Sequence, residues 1–512
     1  MSHERRGGPD LPDLPDLPDP LDSAHGVQKS RLVKTLRRGD IVLFIVAAVI
    51  SADSIAVLAA GGPEGLVWSA FIGIAFLVPS AFVFAETSST YPEEGGPYQW
   101  VRRAFGRTWA SIAVMLYWIT NPIWLGGSLA FIAGSVWAEY VTPTSALGDF
   151  VVKLAFVWVA ILLAIVSLKR GKLLINAGAY AKLFVLLSLT VTALVHVAQV
   201  GSAGIDWSSA RPTAAGFLLI VPVALFAFVG FEAPSAASEE MHDAQKDTPV
   251  AIARGAGITL IAYLAPVLAI ILVTPADRTA DSGVMQAIEE SYAVFGPASG
   301  VLLTVTGLAF VYALLTQGSA WMIATDRMQA VAAGDGAFFT TRLGEFSRRL
   351  GTPVRMNLLS GCVGTVFLAA ATLLVHGTAA AVFGVVLTQA VSTLLISYVV
   401  ILPAMMWLRH KHDVPRPYQV PGGLRGYTVL LTIMYAFVLL GSVAAIVPGV
   451  LEGWLGLDYD FLDEWGVSRG SFEVFTVGTL VVVIAAALVG RAVGGARDEL
   501  AVPLAEPEAS RR

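Results

Sequence analysis

The stretch IVAAVISADSIAVLAAGG (residues 45–62) is apolar at both ends and interrupted in its middle by Ser51, Ala52, Asp53 and Ser54. A second stretch, LLIVPVALFAFVGFEAPSAAS (residues 218–238), is interrupted in the same way around Val229, Gly230, Phe231 and Glu232. Each is long enough to cross a bilayer as a helix, yet small and polar residues at mid-depth break the apolar run. A break frees backbone N–H and C=O groups, and hydrocarbon tolerates these only where they line a cavity or meet neighbouring protein. Four other apolar stretches lie between the two, so the broken spans are the first and the sixth. An offset of five is odd and inverts the topology, which places them at corresponding positions of two inverted five-helix repeats. A central substrate site between spans one and six is the expectation.

The rest of the chain fits a membrane protein. Of 512 residues, 56% are hydrophobic and 14% charged, whereas roughly a quarter of a soluble domain is charged. Apolar stretches fall at 41–60, 66–90, 109–138, 150–168, 173–199, 214–237, 254–274, 298–325, 357–375, 379–407, 427–449 and 472–491. At 1.5 Å per residue, each covers a hydrocarbon core of about 30 Å. The expected fold is therefore an all-α membrane protein of about twelve transmembrane helices. With these spans, 28 of the 33 Lys and Arg lie in the two tails and the loops after even-numbered spans, counting Arg254 and Arg491 at the adjoining span ends, and 3 lie in the loops after odd-numbered ones. The positive-inside rule then puts both termini in the cytoplasm of a multi-pass protein of the cell membrane. Residues 1–37, with the repeat PDLPDLPDLPDP at 9–20, hold too much proline and too little apolar surface to fold, and read as a cytoplasmic tail without a signal peptide. The transporter domain is expected over 38–492 and a second cytoplasmic tail over 493–512. The single cysteine, Cys362, sits in an apolar stretch and reads as a small core residue.

Ionisable groups at membrane depth are costly and mark function. Asp53, Glu232 and Lys182 qualify. Lys182 lies about ten residues into the fifth span, about 15 Å deep, too far for easy snorkelling. Lys153, near a span end, is expected to snorkel. Trp124, in the run TNPIWLGGSLA, is placed beside the site, and Asn121 either shares it or satisfies carbonyls freed by Pro122.

Three further segments carry a family resemblance. AETSSTYPEEGGPYQWVRRAFGR (85–107), FAFVGFEAPSAASEEMHDAQKDTPVAI (226–252), and GSAWMIATDRMQAVAAGDGAFF (318–339) with LGTPVRMNLL (350–359) together resemble the amino acid, polyamine and organocation permeases. The resemblance spans roughly residues 38 to 450. It implies the LeuT-like fold of five plus five inverted helices with two more, and secondary transport of an amino acid or related amine. Carried over position by position, it implies substrate contacts at Ser51, Ala52, Asp53 and Ser54 of the first break and at Val229, Gly230 and Phe231 of the sixth. Phe226 matches the aromatic that closes over substrate, Trp321 an aromatic of the eighth span, and Glu232 a carboxylate tied to proton movement or gating. Lys182 matches a lysine that some members place where sodium-driven relatives hold a cation, which implies sodium-independent, proton-coupled or exchanging transport.

Asp53 departs from the family pattern, where glycine is usual. Two like charges about 4 Å apart cost about 4 kcal/mol at an effective dielectric of 20, so an ionised Asp53 facing a substrate carboxylate would weaken binding roughly a thousandfold. Either Asp53 faces away and caps the second half-helix, or it binds the ammonium of a polyamine or organic cation. A channel would need a ring of selectivity groups. A membrane enzyme would need a motif such as His-Glu-x-x-His or Gly-x-x-x-x-Gly-Lys, and the sequence holds neither. No cofactor, no metal and no nucleic-acid partner is expected, only a small-molecule substrate, possible protons and lipid.

Overall fold

A computed structural model describes residues 34–166, 168–203, 205, 207–274, 283–374 and 379–501. Most of the expected N-terminal tail, and residues 502–512 of the C-terminal one, lie outside them. The regular secondary structure of the described residues is helical, apart from one isolated bridge between Leu36 and Met241.

In chain order the helices are α1 (Arg38–Val49), α2 (Ala52–Ala60), α3 (Gly62–Thr90), α4 (Pro97–Tyr140), α5 (Ala146–Ile165), α6 (Leu168–Val200), α7 (Ala214–Ala227), α8 (Ala244–Val273), α9 (Val284–Tyr292), α10 (Ser299–Gly334), α11 (Val354–Leu374), α12 (Ala379–Lys411), α13 (Gly423–Ile446) and α14 (Arg469–Ala501). The pair α1 and α2 is bent by 48° and forms the first span. Helix α7 and the 3-10 turn Ala233–Glu240 form the sixth. Among the described residues ten helices are long and apolar enough to cross a membrane, the bent α1–α2 pair makes eleven, and the shorter apolar α7 with its 3-10 turn stands at the sixth position, in the order read from the sequence: an all-α membrane fold.

The differences from the expected spans have local causes. Helix α4 begins at Pro97, twelve residues before the apolar stretch, because Pro at the first turn starts a helix without losing a bond. Gly106, with φ of 82°, then turns the chain into the span itself. Between α8 and α10 the sequence suggested only a loop, yet α9 buries Val284, Met285, Ala287, Ile288, Ser291 and Tyr292 on one face. Cys362, expected in the core, is exposed on α11.

Burial separates an inner from an outer set of helices. The span within α4 is almost wholly buried. On α6, by contrast, Leu173, Tyr180, Phe184, Leu187, Val191 and Leu194 are exposed at three-, four- and seven-residue spacing. That stripe is the lipid face of a peripheral helix, and Lys182, 1% exposed, points from its other side into the bundle.

Candidate functional site

The end of α1 is where the site is built. An α-helix leaves its last four carbonyls without intrahelical donors, and in the middle of a bilayer water cannot supply them. Here four consecutive carbonyls are met by side chains from three other helices. Lys182 Nζ of α6 donates to Ala47 O at 2.6 Å and to Ile50 O. Trp321 Nε1 of α10 donates to Ala48 O at 2.8 Å. Tyr263 Oη of α8 donates to Val49 O at 2.9 Å and accepts from Ser51 N at 2.8 Å, so one hydroxyl spans the break. The Lys182 ammonium also faces the negative end of the α1 dipole, where a cation is favoured.

A polar chain runs on from the lysine. Lys182 Nζ reaches Gln317 Oε1 at 2.8 Å, and Gln317 Nε2 donates to Ser51 Oγ at 2.9 Å. Ser51 Oγ in turn donates to Asp53 Oδ1. Asp53, 3% exposed, stands in the first turn of α2, at the positive end of that helix dipole. The N-cap of α2 is Ser51, whose side chain makes no capping bond to the α2 backbone. Asp53 Oδ2 accepts from Trp124 Nε1 at 2.8 Å, with Ser128 Oγ at 3.5 Å. The sequence explains why Trp124 can turn this way. Pro122 interrupts the α4 ladder and Gly126 and Gly127 follow, so residues Leu125–Leu129 form a π turn that re-aims the residues beside it.

Between these elements lies a cavity lined by Ala48, Val49, Ser51, Thr120, Asn121, Trp124, Phe226, Trp321 and Leu394. Its free volume is about 10 Å³, room for about one water. The site is therefore closed in this conformation. No lining residue is charged. Three aromatic rings form much of its wall, and Trp124 and Phe226 meet edge to face with centroids 5.8 Å apart. Asn121 donates to Tyr117 O at 3.3 Å, not to the Trp118 carbonyl that Pro122 leaves free.

In the sixth span, α7 ends at Ala227 and the chain passes through Gly230 with φ of 114°, a region side chains rarely enter. A Cβ on Gly230 would lie 2.8 Å from the Trp321 ring and 3.1 Å from Val49. Backbone at the break thus packs directly on the cavity wall. Glu232 follows, fully buried, with its Oε1 accepting from both Tyr117 Oη and Tyr398 Oη.

Of the residues expected to bind substrate, Ser51, Phe226 and Trp321 line the cavity. Gly230 touches it through Trp321. Ala52, Asp53, Ser54, Val229 and Phe231 are buried around it and are not among its lining residues. Sequence reasoning missed Thr120, Leu394 and the anchors Tyr263, Gln317, Tyr117 and Tyr398. All six are ordinary residues of apolar helices, and only their three-dimensional meeting distinguishes them.

Toward the end of the bundle that carries residues 34–40 lies a buried ion cluster. Arg327 of α10, 1% exposed, binds Glu94 at 2.7 Å and Glu240 at 2.6 Å. Thr35 N and Leu36 N donate to Glu240 O at 2.8 and 3.0 Å. The segment just before α1, the α3–α4 connection, the end of the sixth span and α10 are thereby tied together.

The helical bundle thus holds two broken spans around a closed, uncharged cavity. The amino acid permease family matches over residues 40–454, and the chain belongs to that family: it is a membrane transporter and not an enzyme. It is 26% identical over 464 residues to an uncharacterized transporter of Legionella pneumophila, covering 88% of this chain and 95% of that one. It is 22% identical over 450 residues to a probable agmatine/putrescine antiporter of Lactococcus lactis, covering 86% and 93%. A cadaverine/lysine antiporter of Escherichia coli K12 is 25% identical over 283 residues, 53% of this chain and 60% of that one.

Proposed function

We propose that this protein carries an amino acid or a related amine across the cytoplasmic membrane by alternating access, without sodium, by exchange or together with a proton. Both termini lie in the cytoplasm in this reading, so the Arg327 cluster is the cytoplasmic closure and the substrate cavity sits above it. The observation that carries the proposal is the Lys182 ammonium on the Ala47 and Ile50 carbonyls. Freed carbonyls at a helix break are the groups that would ligate a sodium ion, and a fixed ammonium already supplies the positive charge there. The names of the Lactococcus and Escherichia relatives favour exchange of amines. Glu232, between two tyrosine hydroxyls, is the carboxylate best placed to link proton movement to the sixth span.

A second reading, a polyamine or organic cation carrier in which Asp53 takes the substrate ammonium directly, draws on the nearness of that carboxylate to the cavity, one indole away. Purified protein in liposomes loaded with unlabelled putrescine, agmatine, cadaverine, lysine or leucine separates these readings from a channel. The expected result is saturable uptake of the labelled compound, accelerated by the same compound inside. Flux that stays linear with concentration and ignores the internal compound would contradict a carrier.

A further inference from the structure

The polar chain at the first break ends on a wall of the cavity, and no step of transport described above uses its last link. Asp53 is buried at membrane depth, where a carboxylate without partners is strongly disfavoured. Its partners are Ser51 on one oxygen and Trp124 and Ser128 on the other. Only the first of these is local. The other two belong to α4, so the carboxylate ties the half-helix α2 to the π turn that follows Trp124.

We propose that Asp53 is a positioning residue for substrate binding: it fixes the Trp124 indole as one wall of the cavity and links that wall, through Ser51 and Gln317, to Lys182. Asp53 itself touches no substrate. This rests on the reading of the cavity as the substrate site. The indole N–H has one good acceptor, Asp53 Oδ2, and that bond decides which way the ring lies against Phe226. A glycine at position 53 would leave the N–H of any tryptophan at 124 buried and unpaired, so the two residues form a matched pair. The chain of bonds also gives the wall a reason to respond to the occupancy of the Lys182 site. Any movement of the ammonium shifts Gln317, which shares its amide between the lysine and Ser51, the residue that holds Asp53.

The test is a double-mutant cycle with Asp53→Ala, which removes the acceptor, Trp124→Phe and the pair, read as half-saturation and maximal rate of counterflow for putrescine, lysine and leucine. Losing a hydrogen bond to a charged group should raise half-saturation about tenfold in each single variant, by the same factor for every compound, with maximal rate within about twofold. The pair should also lose about tenfold and not the hundredfold of independent effects. A loss confined to the cationic compounds would mean that Asp53 meets the amine directly, and multiplying effects would mean that Asp53 and Trp124 act separately; either overturns the proposal. Should Asp53→Ala fail to assemble, Trp124→Phe alone still decides, since a uniform rise in half-saturation is expected and an unchanged value contradicts it. Leu394→Trp, which fills the cavity, tests the underlying reading independently. If that variant transports normally, the cavity is not the substrate site, whatever the cycle shows.

Discussion

Lys182 Nζ lies 2.6 Å from the carbonyl oxygen of Ala47, on a helix 135 residues away in sequence, and holds the broken end of α1 in place. Removing the ammonium leaves the Ala47 and Ile50 carbonyls and the Gln317 amide oxygen without this donor. An orphaned buried acceptor costs about 1–3 kcal/mol. Lys182→Met should therefore lower uptake by at least about tenfold and reduce the unfolding temperature, measured on protein quantified at the membrane and then in detergent.

Gly230 has no room for a side chain. Its φ of 114° and the 2.8 Å approach to the Trp321 ring mean that Gly230→Ala must strain the backbone or push Trp321 off Ala48 O. Backbone strain of this kind costs about 1–3 kcal/mol. Uptake should fall more than expression does, because the displaced ring belongs to the cavity. Normal uptake by well-folded Gly230→Ala would show that Trp321 is not held by this contact.

Phe226 lines the cavity and braces Trp124. Phe226→Ala should weaken apparent affinity by about tenfold, from the lost ring contact of about 0.5–1.5 kcal/mol and the lost contact area with substrate. Phe226→Tyr, which keeps the ring, should lose less. The two variants compared in the same counterflow assay give the ordering.

The ion cluster predicts a pH dependence of stability. Burial pushes the Glu94 carboxyl up to about 8, against the pull of the Arg327 guanidinium beside it. A carboxyl whose folded value lies above its unfolded one binds more protons in the folded state, so stability falls as pH rises from about 4.5 through 8. Thermal unfolding in detergent between pH 5 and 9 should show that decline. Glu94→Gln, which keeps an oxygen for Arg327 and carries no charge, should flatten it, and an equally steep decline in the variant would contradict the assignment to Glu94.

Much of this architecture was legible in the sequence because the bilayer imposes it. Twenty-residue apolar runs and two interrupted spans follow directly from hydrocarbon thickness and the need to satisfy the backbone. Asp53, Lys182 and Glu232 stood out for the same reason, as charges at membrane depth. Their partners did not. Tyr263, Tyr117, Tyr398 and Gln317 look like ordinary members of their helices, and nothing in their local pattern says that they converge on the two breaks. The direction of Asp53 was equally hidden. Capping of α2 and contact with substrate were both compatible with its position, and the Trp124 indole depends on a π turn that no periodicity announces. Helix α9 escaped notice because nine residues are too few for a membrane span, and its apolar face becomes meaningful only against α6, α8 and α10.

The central claim, that the Lys182 ammonium stands where a transported cation would otherwise bind, is tested most directly by counterflow in liposomes with sodium replaced by potassium on both sides. Using the amine or amino acid that the protein exchanges fastest, the account predicts the same half-saturation and maximal rate in the two salts. Uptake that requires sodium and does not respond to an imposed pH gradient would contradict it.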